Sequence, residues 1–244
     1  IQNLAVEDYG IHAPVAVANN GTDLSLLKNY DEARREMNEL YGLGEDERLL
    51  LFVGRLNRIK NIFFLVDAFE RLLRTEKNYR LMFVGVGQDE EALRRRIRRL
   101  GIADKVIFTG KISSREDMEK HFARADLFTF PSLYDASSLV QIEAASQKTP
   151  ALLLQGARTA CTVTDGVDGY LSPADIDAYA AKIREIFADP ERHARISEAA
   201  ERDLAVSWQQ TVGESYALYR RLSDEKRHSA PAQTPEKIHE TGTV

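Results

Sequence analysis

Cysteine is almost missing from this chain. Cys161 stands alone among 244 residues, which excludes an internal disulfide framework and leaves a cysteine-rich metal site without a second thiol. That usage fits a reducing, cytoplasmic location. A basic surplus is missing too. Lys and Arg number 33 against 38 Asp and Glu, a formal net charge of -5, whereas proteins that grip a nucleic-acid backbone usually carry excess positive charge. Nucleic acid is therefore not an expected partner. No apolar run reaches the length of a membrane span and no signal-peptide pattern is visible. The histidines (His12, His121, His193, His228, His239) are scattered without a companion at metal-ligand spacing. Neither a Ser-His-Asp set nor a Cys-His pair can be assembled, so hydrolytic covalent catalysis and a metal site are not expected.

What is present is an ordinary globular composition, 43% hydrophobic and 29% charged, long enough for one domain with appendages. Residues 1–30 read as an entry segment, with the apolar strand Val15–Ala18 and a turn signal from Asn19 to Asp23. Arg34 to Leu40 is a short charged helix. From Glu47 onward, apolar strands alternate with amphipathic helices, which is the sequence sign of a parallel sheet. Strands are expected at Leu49–Val53, Arg80–Val84, Val106–Phe108, Asp126–Phe130 and Ala151–Leu154. Helices are expected at Asn61–Leu73, Glu90–Leu100, Glu116–Arg124, Ala174–Phe187, Glu191–Val206 and Trp208–Leu222, the last carrying Trp208, Val212, Tyr216 and Tyr219 at helical spacing. An irregular loop is expected up to Gly169-Tyr170-Leu171. The polar tail 223–244, with Pro231 and Pro235 and no apolar period, is expected to be disordered.

The stretch from Asp126 to Pro150 organises the rest. A strand ends at Pro131, a loop carries Asp135, and Ser137-Ser138 open a helix that carries Glu143. Two acids thus flank a helix start at the carboxyl end of a strand, where open α/β sheets bind ligands and free N–H groups favour an anion such as phosphate. The first strand runs into Gly54-Arg55 and then Lys60. Alone, the two cations read as solvated loop residues. Beside the Asp135 segment they suit a diphosphate, Arg as a fork and Lys as a mobile point charge. Gly85-Val86-Gly87 suggests a dinucleotide fingerprint, but Glu90 occupies the third glycine's place and acids at a helix start repel a pyrophosphate. It reads instead as a tight strand-to-helix turn. The arginines 94, 95, 96, 98 and 99 oppose Leu93, Ile97 and Leu100 on one helix, so they read as a solvated face, with peripheral contact to an anionic membrane as the lesser alternative.

Taken in order, these pieces resemble the C-terminal, donor-binding half of retaining glycosyltransferases of the GT-B fold, family 4 type, from about Gly10 to Leu222. Asn20-Gly21-Thr22-Asp23 is similar to that family's interdomain turn, and Phe52 to Leu56 with Lys60 to its phosphate loop. Phe83 to Gly87 and Val106 to Gly110 resemble its second and third strand ends, and Asp135 through Glu143 its E-x7-E segment. The resemblance implies a Rossmann-like parallel sheet flanked by helices (α/β), one half of a GT-B fold, with a crossover helix near the C-terminus. It implies an entry linker over 1–30, a nucleotide-sugar-binding domain over 31–205 and a C-terminal helix over 206–222. It further implies transfer of a hexosyl group from a nucleoside diphosphate sugar, UDP favoured by family frequency, to a hydroxyl acceptor, with no metal and no other cofactor.

Residue roles follow the same resemblance. Arg55 and Lys60, beside Gly54, would bind the diphosphate and Glu143 the ribose. Asp135 would contact the transferred sugar. Ser137, Ser138 and Leu139 would meet the phosphate, while Gly110, Lys111 and Ile112 border the base. This chain departs from the family's pattern in having Asp at 135 rather than Glu, Ala136-Ser137-Ser138 in place of glycines, and Ala157 to Cys161 in place of Gly-Gly-x-Pro-Glu. It begins at Ile1, where the interdomain linker is expected, so it reads as a fragment or processed product that binds donor but transfers little without an N-terminal acceptor domain as partner. A non-catalytic nucleotide-binding or docking subunit is the rival expectation, and a sugar-nucleotide epimerase of the same architecture a weaker one.

Overall fold

The computed structural model describes residues 20–135 and 138–229, with 226–229 as backbone only. Val15–Ala18, Ser137 and residues 230–244 lie outside them. Residues 20–208 form one compact unit, and the C-terminal helix from 209 belongs to a second.

The chain runs α1 (Tyr30–Tyr41), β1 (Arg48–Val53), α2 (Ile62–Leu73), β2 (Tyr79–Val84), α3 (Glu90–Leu100), β3 (Val106–Gly110), α4 (Arg115–Arg124), β4 (Leu127–Phe130), α5 (Leu139–Ser146), β5 (Ala151–Leu154), β6 (Tyr170–Ser172), α6 (Ile176–Ala188), α7 (Pro190–Leu204) and α8 (Trp208–Ser229). The strands pair in parallel in the order β3-β2-β1-β4-β5-β6, the doubly wound order whose direction reverses between β1 and β4. In sheets of this order, ligands bind in the crevice between the loops that leave those two strands.

Helices cover both faces, which is why β1 from Leu49 and β5 read as unbroken apolar runs, β4 is broken only by Thr129, and all three are buried nearly throughout. Register places Phe52 beside Phe83 and Phe83 beside Phe108. With Phe130 and Phe128 they form a row of rings across four strands, at centroid separations of 5.3 to 5.9 Å. Each such ring contributes about 1.5–3 kcal/mol by burial, and the row fixes the carboxyl edge on which the loops stand.

Two expectations are corrected. The irregular loop ends in a sixth strand, β6, which pairs with β5. Its sequence Tyr-Leu-Ser has neither the length nor the apolar run that marks a strand. The last helix runs past Leu222 to Ser229, because Glu225, Lys226 and Arg227 are good helix formers and, with no Gly or Pro from Ser223 to Ser229, a helix already started continues at little cost. The arginine-rich face of α3 is largely neutralised by acids. Arg94 pairs with Glu90, Arg95 and Arg98 with Glu91, and Arg96 with Asp67. No helix among the described residues is long and apolar enough to cross a membrane.

Candidate functional site

The loop after β1 is built by backbone contact with the loop after β2. Gly85 has φ 129°, and a Cβ there would lie 2.1 Å from the carbonyl oxygen of Gly54. A Cβ at Gly87 would lie 2.2 Å from that of Leu56. The two glycines thus serve close approach of two loops of the chain, in keeping with a tight turn. Leu56 N donates to Val86 O at 3.1 Å and Asp89 N to Leu56 O at 3.1 Å. Asp89 Oδ2 accepts from Arg58 N at 2.9 Å, so this acid ties down the loop instead of capping α3. Asn57 caps the short turn Arg58–Lys60 by accepting from Lys60 N at 3.2 Å. Asn61, left-handed at φ 58°, reaches Pro131 O through Nδ2 at 3.3 Å and so joins the two crevice loops.

That frame brings two expected site residues together. Lys60 Nζ lies 2.5 Å from Asp135 Oδ1, with side chains 22% and 23% exposed, and 5.5 Å from the centroid of the Phe130 ring. Asp135 Oδ2 and Ser132 Oγ are buried without a hydrogen-bond partner among the described residues. Buried oxygens left open in this way point toward a bound ligand or water. Arg55 is exposed on the same loop, and no ion pair engages it among the described residues. Gly54 N donates to Val84 O at 2.9 Å, and Gly110 O accepts from Gly85 N at 2.8 Å, so both glycines belong to strand ends at this edge.

Across from Asp135, α5 begins at Leu139 with Ser138 before it. The N–H groups of Ser138 and Leu139 have no partner among the described residues, and the Ser138 side chain makes no cap bond. The first turns of α1, α3 and α4 hold acids, but those of α2 and α5, which border the crevice, hold none. Two positive helix ends are left open to an anion.

Glu143 lies elsewhere on α5. It lines a cleft with Asp23, Ile112, Arg115, Leu139 and Trp208, and neither Lys60 nor Asp135 borders that cleft. Burial pushes the Glu143 carboxyl above the usual glutamate range, and the Arg115 charge opposes the shift. Asp23 Oδ2 accepts from Arg115 at 3.2 Å. Of the expected residues, Lys60 and Asp135 meet in an ion pair, and Glu143 lines a cleft with Ile112 and Leu139. Asn61 and Arg115 were not expected. The pattern Ser114-x-x-Asp117, whose Ser114 Oγ accepts from Asp117 N at 3.2 Å, is a helix-start signal that would have put Arg115 at this edge.

The buried His121 and the half-buried His193 are engaged elsewhere. His121 meets Tyr41 and the Asp117 carbonyl, and His193 meets Tyr170 and the Asp126 carbonyl. No cluster of His, Cys, Asp and Glu able to hold a metal occurs among the described residues.

With this geometry in view, comparison with known proteins is decisive for the family. Residues 33–203 match the family described as glycosyl transferases group 1. The chain belongs to that family. It is 30% identical over 226 residues to D-inositol 3-phosphate glycosyltransferase of Nocardiopsis dassonvillei, covering 88% of this chain and 52% of that protein. It is also 30% identical over 197 residues to the GDP-mannose-dependent alpha-(1-6)-phosphatidylinositol monomannoside mannosyltransferase of Mycolicibacterium smegmatis, covering 78% of this chain and 51% of that one. This glycosyltransferase chain thus spans about half the length of those curated relatives. Its fold is similar to that of Anabaena Alr3699/HepE, solved in complex with UDP and glucose, with a TM-score of 0.72, 22% identity, and coverage of 85% of this chain and 56% of that one.

Proposed function

We propose that this chain is the C-terminal, donor-binding half of a retaining, family 4 type GT-B glycosyltransferase, and that it holds a nucleoside diphosphate sugar without a metal. The observation that carries this is the meeting of Lys60 and Asp135 at the switch point, beside a helix start with open N–H groups. The diphosphate would lie against the α5 start with Lys60 and Arg55 as counter-charges. These groups would stabilise the negative charge that develops on the leaving diphosphate, as preorganised cations and dipoles do. The open Asp135 oxygen would accept from the sugar, and Glu143 from the ribose. A hydroxyl acceptor would come from a second domain, so the chain alone would bind donor and transfer little. The UDP named with the Anabaena neighbour favours a UDP-sugar, and a single free cysteine, Cys161, fits a reducing compartment such as the cytoplasm.

A second reading, a docking or nucleotide-binding subunit that completes another polypeptide, is favoured by one observation. Val212, Tyr216, Tyr219 and Leu222 are exposed along α8, and such apolar strips mark partner surfaces. Calorimetric titration of the chain with UDP, GDP, ADP and NAD, without divalent metal, tests the donor-site reading. Saturable binding of one nucleoside diphosphate is the expected result. Binding of NAD in preference to all of them would overturn it.

A further inference from the structure

Glu143 stands out among the charged groups of its cleft, because Asp23 and Arg115 hold each other at 3.2 Å while no hydrogen bond or ion pair engages the Glu143 carboxyl among the described residues. Among the described residues, the elements around it bring no further charge into the cleft. β5 beneath α5 is apolar, and α7, packed on α5, buries Ile196, Ala199 and Ala200. From the entry turn the facing charge is Asp23, and from α4 it is Arg115. Arg115 also occupies an unusual place. It is the first residue of α4, where the helix dipole favours an anion and disfavours a cation. Helix formation alone does not explain it there.

We propose that Arg115 is a positioning residue for the nucleotide site: held by Asp23 in the cleft that Glu143 also lines, it supplies the counter-charge under which Glu143 offers both carboxyl oxygens to the ribose hydroxyls. The inference rests on the donor-site reading and adds to it a charge that the E-x7-E resemblance does not contain. The chemistry is direct. A carboxylate offers two acceptor oxygens to a diol, while a carboxylic acid must donate with one of them. Burial works against the carboxylate, so a cation at this point extends nucleotide binding toward acid pH. Asp23 balances Arg115 and keeps the guanidinium from closing on Glu143 and blocking it.

The test uses the full chain and two readouts. Carbon-13 NMR of the glutamate carboxyls, assigned with Glu143→Gln, gives the titration midpoint of Glu143 in the parent chain, Arg115→Gln and Arg115→Lys. Calorimetry with UDP and GDP across the acid-to-neutral range gives the pH limb of binding. Arg115→Gln is expected to raise the midpoint and to weaken binding on the acid limb in proportion, about tenfold for a midpoint one pH higher. Arg115→Lys is expected to restore most of both. An unmoved midpoint in a folded Arg115→Gln chain would overturn the inference even where nucleotide binds. A higher midpoint in a chain that binds neither nucleotide would leave the electrostatic link standing and sink the donor-site reading instead.

Discussion

Lys60 Nζ approaches Asp135 Oδ1 to 2.5 Å, and this ion pair bridges the loops that leave β1 and β4 at the point where strand order reverses. The same pair sets two proposed roles against each other. Each lysine proton given to Asp135 is one not given to a phosphate oxygen, yet Asp135 also keeps the ammonium at the crevice. The second oxygen of Asp135 remains buried and open.

Substitution separates those roles. Lys60→Ala is expected to weaken a free nucleoside diphosphate by roughly 10- to 100-fold, the range of a charge-assisted hydrogen bond. Asp135→Ala frees the ammonium, so it should leave that affinity unchanged or raise it, while the sugar-bearing donor loses about tenfold. Parallel titrations with nucleoside diphosphate and its sugar conjugate give both numbers. An equal loss of free nucleotide in the two variants would show that Asp135 orients Lys60 and does not touch sugar.

Glu143→Ala should give the complementary pattern. With the ribose acceptor gone, free nucleotide and sugar donor should weaken together, by roughly 10-fold or more. The check is the ratio of the two losses. A change confined to the sugar donor would move Glu143 out of the ribose role.

Gly85→Ala is expected to disturb the crevice from behind. The added carbon would meet the Gly54 carbonyl in a positive-φ conformation, so the loop that carries Arg55 and Lys60 must move. Stability should fall by about 1–3 kcal/mol, read from the denaturant midpoint. Nucleotide affinity should fall as well, although Gly85 itself is not a proposed ligand contact.

Most of the fold could be read in the residues because parallel strands buried on both faces leave continuous apolar runs such as Leu49 to Val53. The helix beginning at Leu139 was legible from the serines before it, and the crevice from the strand ends at Gly54 and Pro131. The rest depends on tertiary placement. β6 is too short to announce itself, and Arg115 is one charge in a charged helix start until the turn at Asp23 folds beside it. That Glu143 lines a cleft with Asp23 and Arg115 is likewise hidden, since its spacing from Asp135 along the chain says nothing of what packs beside it.

Acid sensitivity of the fold should trace to Asp126, which precedes β4 and is almost wholly buried. Burial alone would raise its pKa, but Arg34 and Arg124, with the Leu49 N–H at 2.7 Å, hold it below the usual aspartate range. Arg34 lies 2.9 Å and Arg124 2.8 Å from its carboxylate. A group whose pKa is lower folded than unfolded contributes stability above its unfolded pKa, near 3.9 for aspartate, and loses it as pH falls through the folded value. Asp126→Asn removes that contribution and leaves the buried Arg124 and the half-buried Arg34 without their counter-charge. It is expected to cost roughly 3–5 kcal/mol at neutral pH, as for other broken buried pairs, and to flatten the acid limb of stability below about pH 4. Thermal or denaturant unfolding of both chains from neutral to acid pH gives the comparison. An acid limb as steep in Asp126→Asn as in the parent would place the sensitive carboxylate elsewhere.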